Sequence, residues 1–367
     1  MAKVSVVRTT SGIKQGLYEA IELIGGLATY VGHGDTVLLK PNLNGVEGST
    51  DKELVGSLLQ LLLDFGVRKV VLGESTFGDD RITDMFFDKT GFSDLAREYG
   101  IELVNLNRSK TVEVKVARPL VLETLRIARE AYEADRIINL PNMKVHYATG
   151  ITLALKNMKG ILVGNEKKHF HEVGLDKAIV DLNNTIRPCL NIVDGILCME
   201  RMGPRGGDMV NLGLMLAGGA AAEVDYIGSL IMGYALREVK HLEMYLADNC
   251  VELNDVEVVG EQIDEVRYPF KKVNLAKILP AGFRVHNRNA CSSCENAFLL
   301  SCQFLERSPS QGAEIYMGEL VGESGPAEGI RIGFGNCCSA DASFDKIIKG
   351  CPPYPFALRD YLQSIGA

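Results

Sequence analysis

Short β-branched runs and longer stretches with helical spacing of apolar residues alternate through the first 130 residues. The pattern predicts strands at 4–8, 37–39, 69–72 and 101–106. It predicts helices at 13–26, 52–65, 82–87 and 92–99. Because strands that alternate with helices usually pair in parallel, we expect an α/β fold with mainly parallel sheets flanked by helices. An antiparallel pair is predicted at 111–116 and 121–126.

A second α/β stretch follows, and then the pattern changes. Strands are predicted at 136–140, 190–196, 212–217 and 256–259, and helices at 149–158, 175–185, 220–234 and 239–247. The last residues contain many loops and cysteines and end with a predicted helix at 354–364. We therefore expect an α/β domain at 1–130, a second at 131–280 that is separate from the first or interleaved with it, and a small Cys-rich C-terminal part at 281–367.

The charge and composition of the chain limit the classes of ligand and partner that it can bind. The 367 residues carry 39 Lys and Arg against 47 Asp and Glu, a formal net charge of −8. An acidic chain is a poor candidate for nucleic acid binding, which needs a cationic surface. Neither a signal-peptide pattern nor an apolar run of membrane-spanning length is present in the sequence. We expect a cytoplasmic protein with no membrane contact, in which small anionic ligands bind at local basic clusters.

Six of the nine cysteines lie in the last 77 residues, which is unusual for a protein of a reducing compartment. Cys291 and Cys294 form a C-x2-C pair, and Cys337, Cys338 and Cys351 follow much later. These five are the predicted metal ligands: Cys291, Cys294, Cys351 and one of the two adjacent cysteines would complete a [4Fe–4S] cluster. Cys302 is a reserve candidate. Structural zinc and inert buried cysteines are the alternatives.

Basic residues are concentrated between Lys144 and His171, where three of the six histidines and five lysines fall within 28 residues. The segment follows a predicted strand, and open α/β sheets bind ligands at the carboxyl ends of strands. The predicted catalytic residues are His146, Lys156 and His171. The predicted cofactor-binding residues are Lys40, Asn42, Lys144, Asn157 and His169. Thr149 is expected to cap a helix that presents Lys156 to a groove or to solvent, whereas Lys167 and Lys168 are expected to be solvated.

Four segments of the chain resemble the family catalogued as domain of unknown function 362. They are VLLKPNL at 37–43, LPNMKVHYATGITLALKNMKG at 140–160, IVDGILCMERMGPRGG at 192–207 and AAEVDYIGSLIMG at 221–233. Members often carry a Cys-rich part with [4Fe–4S] clusters, so the resemblance implies a cluster here. The ferredoxin run C-x2-C-x2-C-x3-C-P is absent from the sequence, which leaves a single cluster as the implied content.

A weaker similarity is to enzymes of the lactate-racemase type. His146, Lys156 and His171 are spaced like the His…Lys…His pattern that holds a nickel–pincer cofactor there. The resemblance implies covalent attachment of the cofactor at Lys156 and proton transfer at His146.

Three functions follow as hypotheses. The first is redox chemistry on a small anionic substrate or cofactor, in which an iron–sulfur cluster delivers electrons to the cleft and a redox partner protein exchanges electrons with the cluster. The second is a non-catalytic electron carrier or metallocentre-assembly protein. The third is a racemase or isomerase with a nickel cofactor attached to lysine.

Overall fold

The β-branched runs form a large mixed sheet within residues 1–272 and a small parallel sheet within residues 273–367, and the computed structural model divides into two compact units at this point. We name them unit 1 and unit 2. The structure describes residues 2–77, 80–305, 312–319, 329–338 and 343–365. The predicted α/β class, with mainly parallel strands flanked by helices and a Cys-rich C-terminal part, is confirmed.

The strands of unit 1 come from its whole length. They are β1 (Ala2–Arg8), β2 (Thr36–Pro41), β3 (Lys69–Glu74), β4 (Glu102–Asn105), β5 (Thr111–Lys115), β6 (Thr124–Ala128), β7 (Arg136–Leu140), β8 (Asn142–His146), β9 (Gly150–Thr152), β10 (Leu190–Glu200), β11 (Asp208–Gly218) and β12 (Val256–Gly260). The sheet runs β12-β1-β11-β10-β7-β2-β3-β4, and β10, β7, β2, β3 and β4 are mutually parallel. Strands from both sides of residue 130 therefore share one sheet.

The helices of unit 1 cover this sheet. They are α1 (Ile13–Leu23), α2 (Lys52–Phe65), α3 (Asp80–Thr90), α4 (Phe92–Tyr99), α5 (Arg129–Glu133), α6 (Ala154–Asn157), α7 (Glu166–Val173), α8 (Leu175–Thr185), α9 (Ala221–Ile231), α10 (Lys240–Asp248) and α11 (Ile263–Val266). In α2, the carboxylate of Asp51 accepts hydrogen bonds from the first-turn N–H groups of Glu53 and Leu54, and Gly66 ends the helix in a left-handed conformation. Its leucine face is fully buried, at roughly 1.5–3 kcal/mol per side chain.

Unit 2 is a parallel sheet with helices packed against it. Its elements are α12 (Leu275–Ile278), β13 (Phe283–Arg288), α13 (Ser292–Gln303), β14 (Ala313–Gly318), β15 (Ile330–Phe334), β16 (Lys346–Ile348) and α14 (Pro355–Ser364). The strands lie side by side in chain order and all neighbours are parallel. The core between sheet and helices includes Phe298, Phe334 and Leu358. Strands were not expected here, because the apolar runs are short and polar residues interrupt them, as in FRVHNR at 283–288.

The prediction of a helix at 149–158 is wrong. The chain instead forms the antiparallel hairpin β8–β9 and then the single helical turn α6. Thr149 caps no helix, and its hydroxyl donates to the carbonyl of Ile151. Lys167 and Lys168, which were expected to be solvated, lie in α7. Among the described residues, no helix is long and apolar enough to span a membrane.

Candidate functional site

Polar side chains of unit 1 gather where parallel strands end. Lys40 lies near the end of β2, Glu74 ends β3, and β7 is followed directly by the segment that carries Asn142 and Lys144. Because β2, β3 and β7 are neighbours in one parallel sheet, these ends lie along the same edge. This is the edge at which open α/β sheets bind ligands.

A buried ion pair lies at the centre of this edge. The ammonium group of Lys40 donates to the carboxylate of Glu74 and, at 2.9 Å, to the carbonyl of Pro41. Burial lowers the pKa of Lys40 and raises the pKa of Glu74, and their mutual attraction opposes both shifts. Gly160 makes room for the pair, since a Cβ at that position would lie 1.9 Å from Glu74 Oε1.

Lys167, which was expected to be solvated, is buried beside this pair. Its ammonium group donates to the hydroxyl of Ser75 and, at 3.0 Å, to the carbonyl of Leu162. Burial lowers its pKa to about 7. The expectation was wrong because α7 turns this side chain inward, which the sequence of a short polar segment does not reveal. Lys168, in contrast, pairs with Glu172 at the surface.

A chain of buried amides connects the strand ends. Asn42 donates to Asn157 Oδ1 at 2.8 Å, and Asn157 donates to Asn139 Oδ1 at 2.8 Å. Asn139 in turn donates to Asn191 Oδ1 at 2.9 Å. Lys144 donates to Asn42 Oδ1 at 2.7 Å, so the amide chain also fixes this ammonium group. The predicted binding residues Asn42, Lys144 and Asn157 therefore lie in one network, which is rigid because each partner is satisfied.

Lys156 lies in α6, a single helical turn whose N-cap residue makes no side-chain hydrogen bond. Asp225 of α9 supplies the cap: its carboxylate accepts the N–H groups of Ala154 at 2.6 Å and Leu155 at 3.0 Å. The Lys156 side chain is buried, and its Nζ donates to Thr152 Oγ1 at 3.3 Å. Burial and the charges of Lys159 and Lys144 hold the pKa of Lys156 well below its usual value.

The two predicted catalytic histidines lie close to Lys156. His146 Nδ1 accepts the backbone N–H groups of Ala148 at 3.1 Å and Thr149 at 3.3 Å, so the proton of the neutral ring is on Nε2. Burial, followed by repulsion from Lys156 and His171, lowers the pKa of His146. His171 Nε2 lies 3.1 Å from Lys159 Nζ. Burial and the Lys159 charge lower the pKa of His171 as well.

We name five of these side chains the basic cluster: Lys144, His146, Lys156, Lys159 and His171. Burial lowers the pKa of Lys144 and of Lys159 to about 7. The hydrogen-bond partners of the three lysines are neutral. Lys144 donates to an amide oxygen and to a backbone carbonyl, Lys156 donates to a hydroxyl, and Lys159 contacts an imidazole. Buried cations normally have anionic partners, so this cluster can accept an anion. His169 lies outside it, since its side chain is 47% exposed and faces Glu172.

In unit 2, the predicted ligands follow the ends of parallel strands. Cys291 follows β13 and begins α13, whose first turn holds Cys294; Cys337 follows β15, and Cys351 follows β16. The pKa of Cys294 is raised by its hydrogen bond with Cys291, by burial, and by repulsion from Cys291, Cys351 and Cys337. We name these four the cysteine quartet.

Backbone hydrogen bonds bring the later two loops together. Asn336 N donates to Gly350 O at 2.9 Å, and Gly350 N donates to Asn336 Oδ1 at 2.8 Å. Gly335, at φ +114°, leaves space beside Cys294 Sγ, which would lie 3.4 Å from a Cβ at this position. The loops of β15 and β16 thus approach the start of α13.

The adjacent Cys338 faces the opposite way. It is fully buried, and its Sγ donates to the carbonyl of Tyr316 at 3.3 Å. Cys302 packs in the apolar core of unit 2. Of the two neighbouring cysteines, Cys337 is the one whose pKa is raised by repulsion from Cys351 and Cys291, in addition to the larger effect of burial. In the described part of the chain, no group of three or more His, Cys, Asp or Glu side chains has an arrangement that could hold a metal ion.

Sequence reasoning recognised Glu74 as an acidic group at a strand end, but it did not assign Lys159, Lys167 or Asp225 to the unit 1 site. The acidic residue at the end of β3 and the paired glycines before α9 are visible in the sequence, but neither signal says that the carboxylate is buried. Only the packing of α6 and α9 assigns Asp225 its role.

Comparison with other proteins places these features in a family. A thylakoid-associated protein of Synechocystis sp. is 30% identical over 243 residues, which are 60% of this chain and 74% of the relative. Two solved structures are more distant. A Thermotoga maritima protein has 14% identity and a TM-score of 0.42 over 83% of this chain and 70% of that one. The lactate racemase apoprotein of Thermoanaerobacterium thermosaccharolyticum has 12% identity and a TM-score of 0.45 over 87% and 69%.

The family model described as domain of unknown function (DUF362) matches residues 37–229, which are more than half of the chain. The matched segment includes β2, β3 and the whole basic cluster. This protein belongs to the DUF362 family.

Proposed function

We propose that this protein is a [4Fe–4S] protein that carries out redox chemistry on a small anionic compound bound at the basic cluster. The observation that supports the proposal is that Cys291, Cys294, Cys337 and Cys351 follow the ends of three strands of one parallel sheet and repel one another electrostatically, although their side chains are not arranged around a metal ion in this structure. A cytoplasmic location remains a prediction.

The donor set of the quartet fits such a cluster. Four cysteine thiolates are the usual ligands of [4Fe–4S], one for each iron. Cys291 and Cys294 lie at the N-terminus of the 12-residue α13, where the helix dipole favours negative charge. Its hydrogen bond with Cys291, burial and repulsion raise the pKa of Cys294, and burial and repulsion raise the pKa of Cys337, when no cation is present. A cationic cluster would remove that penalty, and it supplies one-electron transfer when bound.

The basic cluster supports an anionic ligand rather than a purely structural role. Lys144, Lys156 and Lys159 are held at the ligand-binding edge with neutral partners, at a cost in desolvation that an anion would offset. His146 presents Nε2–H as a donor. An electron carrier without a substrate would not need this arrangement, which favours an enzyme over an accessory protein.

The cluster is tested by iron and sulfide analysis of protein purified without oxygen. We expect about four irons and four sulfides per chain and a visible absorbance band that dithionite bleaches. The adjacent cysteines provide a matched pair of variants: Cys337→Ser should lose the cluster, and Cys338→Ser should keep it. Zinc in place of iron, or equal iron content in both variants, would overturn the proposal.

Redox turnover is tested separately on the protein with its cluster. Single-turnover reoxidation of the reduced cluster should accelerate when the anionic substrate is present, and His146→Gln should abolish that acceleration without loss of iron. If the cluster is present but His146→Gln changes nothing, the accessory function is favoured instead.

A further inference from the structure

A glycine-rich loop at residues 201–207 follows β10 and packs against the end of β8, the strand that contains two members of the basic cluster. The N–H group of Tyr147 donates to the carbonyl of Gly203 at 3.1 Å. A Cβ at Gly203 would lie 1.7 Å from the carbonyl oxygen of Val145, and only glycine permits so close an approach of two backbones. This loop therefore brings Arg205 to the same edge of the sheet as the basic cluster.

The guanidinium group of Arg205 is held by neutral groups. Its Nε donates to the carbonyl of Asn44 at 3.3 Å, and its Nη2 donates to Asn44 Oδ1 at 3.1 Å. Its Cζ lies 5.7 Å from the centre of the Phe86 ring. No carboxylate of the described residues forms an ion pair with it. Arg201 of the same loop, in contrast, pairs with Asp208 at 2.8 Å. A partly buried cation without a carboxylate partner is a place where an anion can bind.

The edge of the guanidinium group that faces away from Asn44 is open. Arginine has five N–H donors, of which Asn44 takes one on Nε and one on Nη2. Nη1 of Arg205 makes no hydrogen bond within the described residues and is not one of their buried unpartnered atoms, so solvent reaches it. The Nη1–Nη2 edge can bind a carboxylate or a phosphate through two parallel hydrogen bonds. A purely structural link to Asn44 would not need a charged group with this edge left open.

The loop at residues 42–49 connects Arg205 with the basic cluster. Lys144 Nζ donates to the carbonyl of Gly48 at 2.6 Å, and Asn44 of the same loop accepts from Arg205. Burial and then repulsion from Arg205 lower the pKa of Lys144, as expected for neighbouring charges of one sign. Lys144 is fully buried, whereas Arg205 is partly exposed. The two cations are therefore held by one loop, and Arg205 is the one nearer to solvent.

We propose that Arg205 binds a second anionic group of the substrate, so that the compound bound at the basic cluster is a small dianion, either a dicarboxylate or a phosphorylated carboxylic acid. One acid group would bind at the basic cluster and the other at the Nη1–Nη2 edge. This inference rests on the proposed anion site and adds the residue that selects dianions over monoacids. Selection arises because a monoacid leaves the charge of Arg205 without a partner, whereas a dianion offsets both charges.

Paired acids test this selection. Calorimetric titration of the full-length protein compares malonate with propionate, succinate with butyrate, glutarate with pentanoate, and 2-phosphoglycolate with glycolate. In each pair only the second anionic group differs, so the ratio of the two affinities isolates its contribution. We expect at least one dianion to bind about tenfold more tightly than its monoacid, as for one added charge-assisted contact. The pair with the largest ratio measures the span between the two subsites.

Two arginines of the same loop provide the matched variants. Arg205→Gln should bring the ratio to about one and change the monoacid affinity less than about twofold, which also shows that the variant is folded. Arg205→Lys keeps the charge but loses the planar edge, and it should retain only part of the ratio. Arg201→Gln, which breaks the pair with Asp208, should leave the ratio unchanged.

The outcomes separate this inference from the anion site. If the monoacids bind and none of the dianions binds more tightly, or if Arg205→Gln keeps the wild-type ratio, the role of Arg205 is wrong and the anion site stands. If no acid binds to the wild type, the anion site fails and this inference fails with it. A ratio for 2-phosphoglycolate above that of every dicarboxylate would support the inference with phosphate as the second group.

Discussion

The two candidate sites occupy equivalent positions in their sheets but differ in the burial of their side chains. Each lies where parallel strands end, the basic cluster at β2, β3 and β7 and the cysteine quartet at β13, β15 and β16. The unit 1 site is buried and internally hydrogen-bonded through its amides. The quartet instead includes one exposed cysteine, Cys337. We therefore expect the unit 1 site to be held by its own packing, and the quartet to depend on the cluster that we propose it binds.

The largest effect expected from this comparison follows removal of iron. Chelation of anaerobic protein should leave backbone protection in unit 1 unchanged and lower it in unit 2 by roughly 100-fold, because metal binding energy is folding energy at such sites. Hydrogen exchange read by mass spectrometry measures both units in one sample. Equal loss in the two units, or none, would contradict the contrast.

A smaller but still large effect is expected for Gly160→Ala, which tests the packing of unit 1. The new Cβ would meet Glu74 Oε1 at 1.9 Å and break the pair with Lys40, so the free energy of unfolding should fall by about 3 kcal/mol. Gly32→Ala is the matched control, since its Cβ would lie 3.6 Å from Asp35. Urea denaturation measures both, and similar losses would refute the close approach.

The pH dependence of stability sharpens the comparison further. Lys144 has a pKa of about 7 in the folded state, well below its ordinary value of 10.5. Between these values the unfolded chain binds more protons, so stability contributed by this residue rises with pH. Lys144→Met should reduce that slope by up to about 1.4 kcal/mol per pH unit between pH 7 and 10. Urea midpoints at three pH values measure it, with Lys168→Met as control, and identical slopes would show that Lys144 keeps its ordinary pKa.

The smallest effect is expected at His169, which was predicted as a binding residue and lies outside the basic cluster. His169→Ala should change malonate affinity less than twofold and stability by less than about 0.5 kcal/mol. His146→Gln should weaken malonate binding about tenfold because a buried donor is altered. Calorimetric titration compares the two, and equal losses would return His169 to the site.

The sequence by itself determined the elements whose pattern is strongly periodic. Helix 52–65 was predicted with its observed bounds, because an acidic cap, a leucine stripe and a terminal glycine all agree. The strands at 69–72 and 136–140 were found because buried parallel strands are continuous apolar runs. The four segments shared with the DUF362 family were also visible in the sequence.

Only the tertiary structure decided which polar residues become buried. Lys167 and Lys168 are adjacent and chemically identical, yet α7 turns one inward and the other outward. Cys337 and Cys338 are also adjacent, yet within one short helical turn Cys337 is exposed and Cys338 is buried. The Asp225 cap on α6 joins residues about 70 positions apart. Spacing along a chain specifies local geometry, but the direction of a side chain is fixed by what packs against its element, and that partner comes from elsewhere in the sequence.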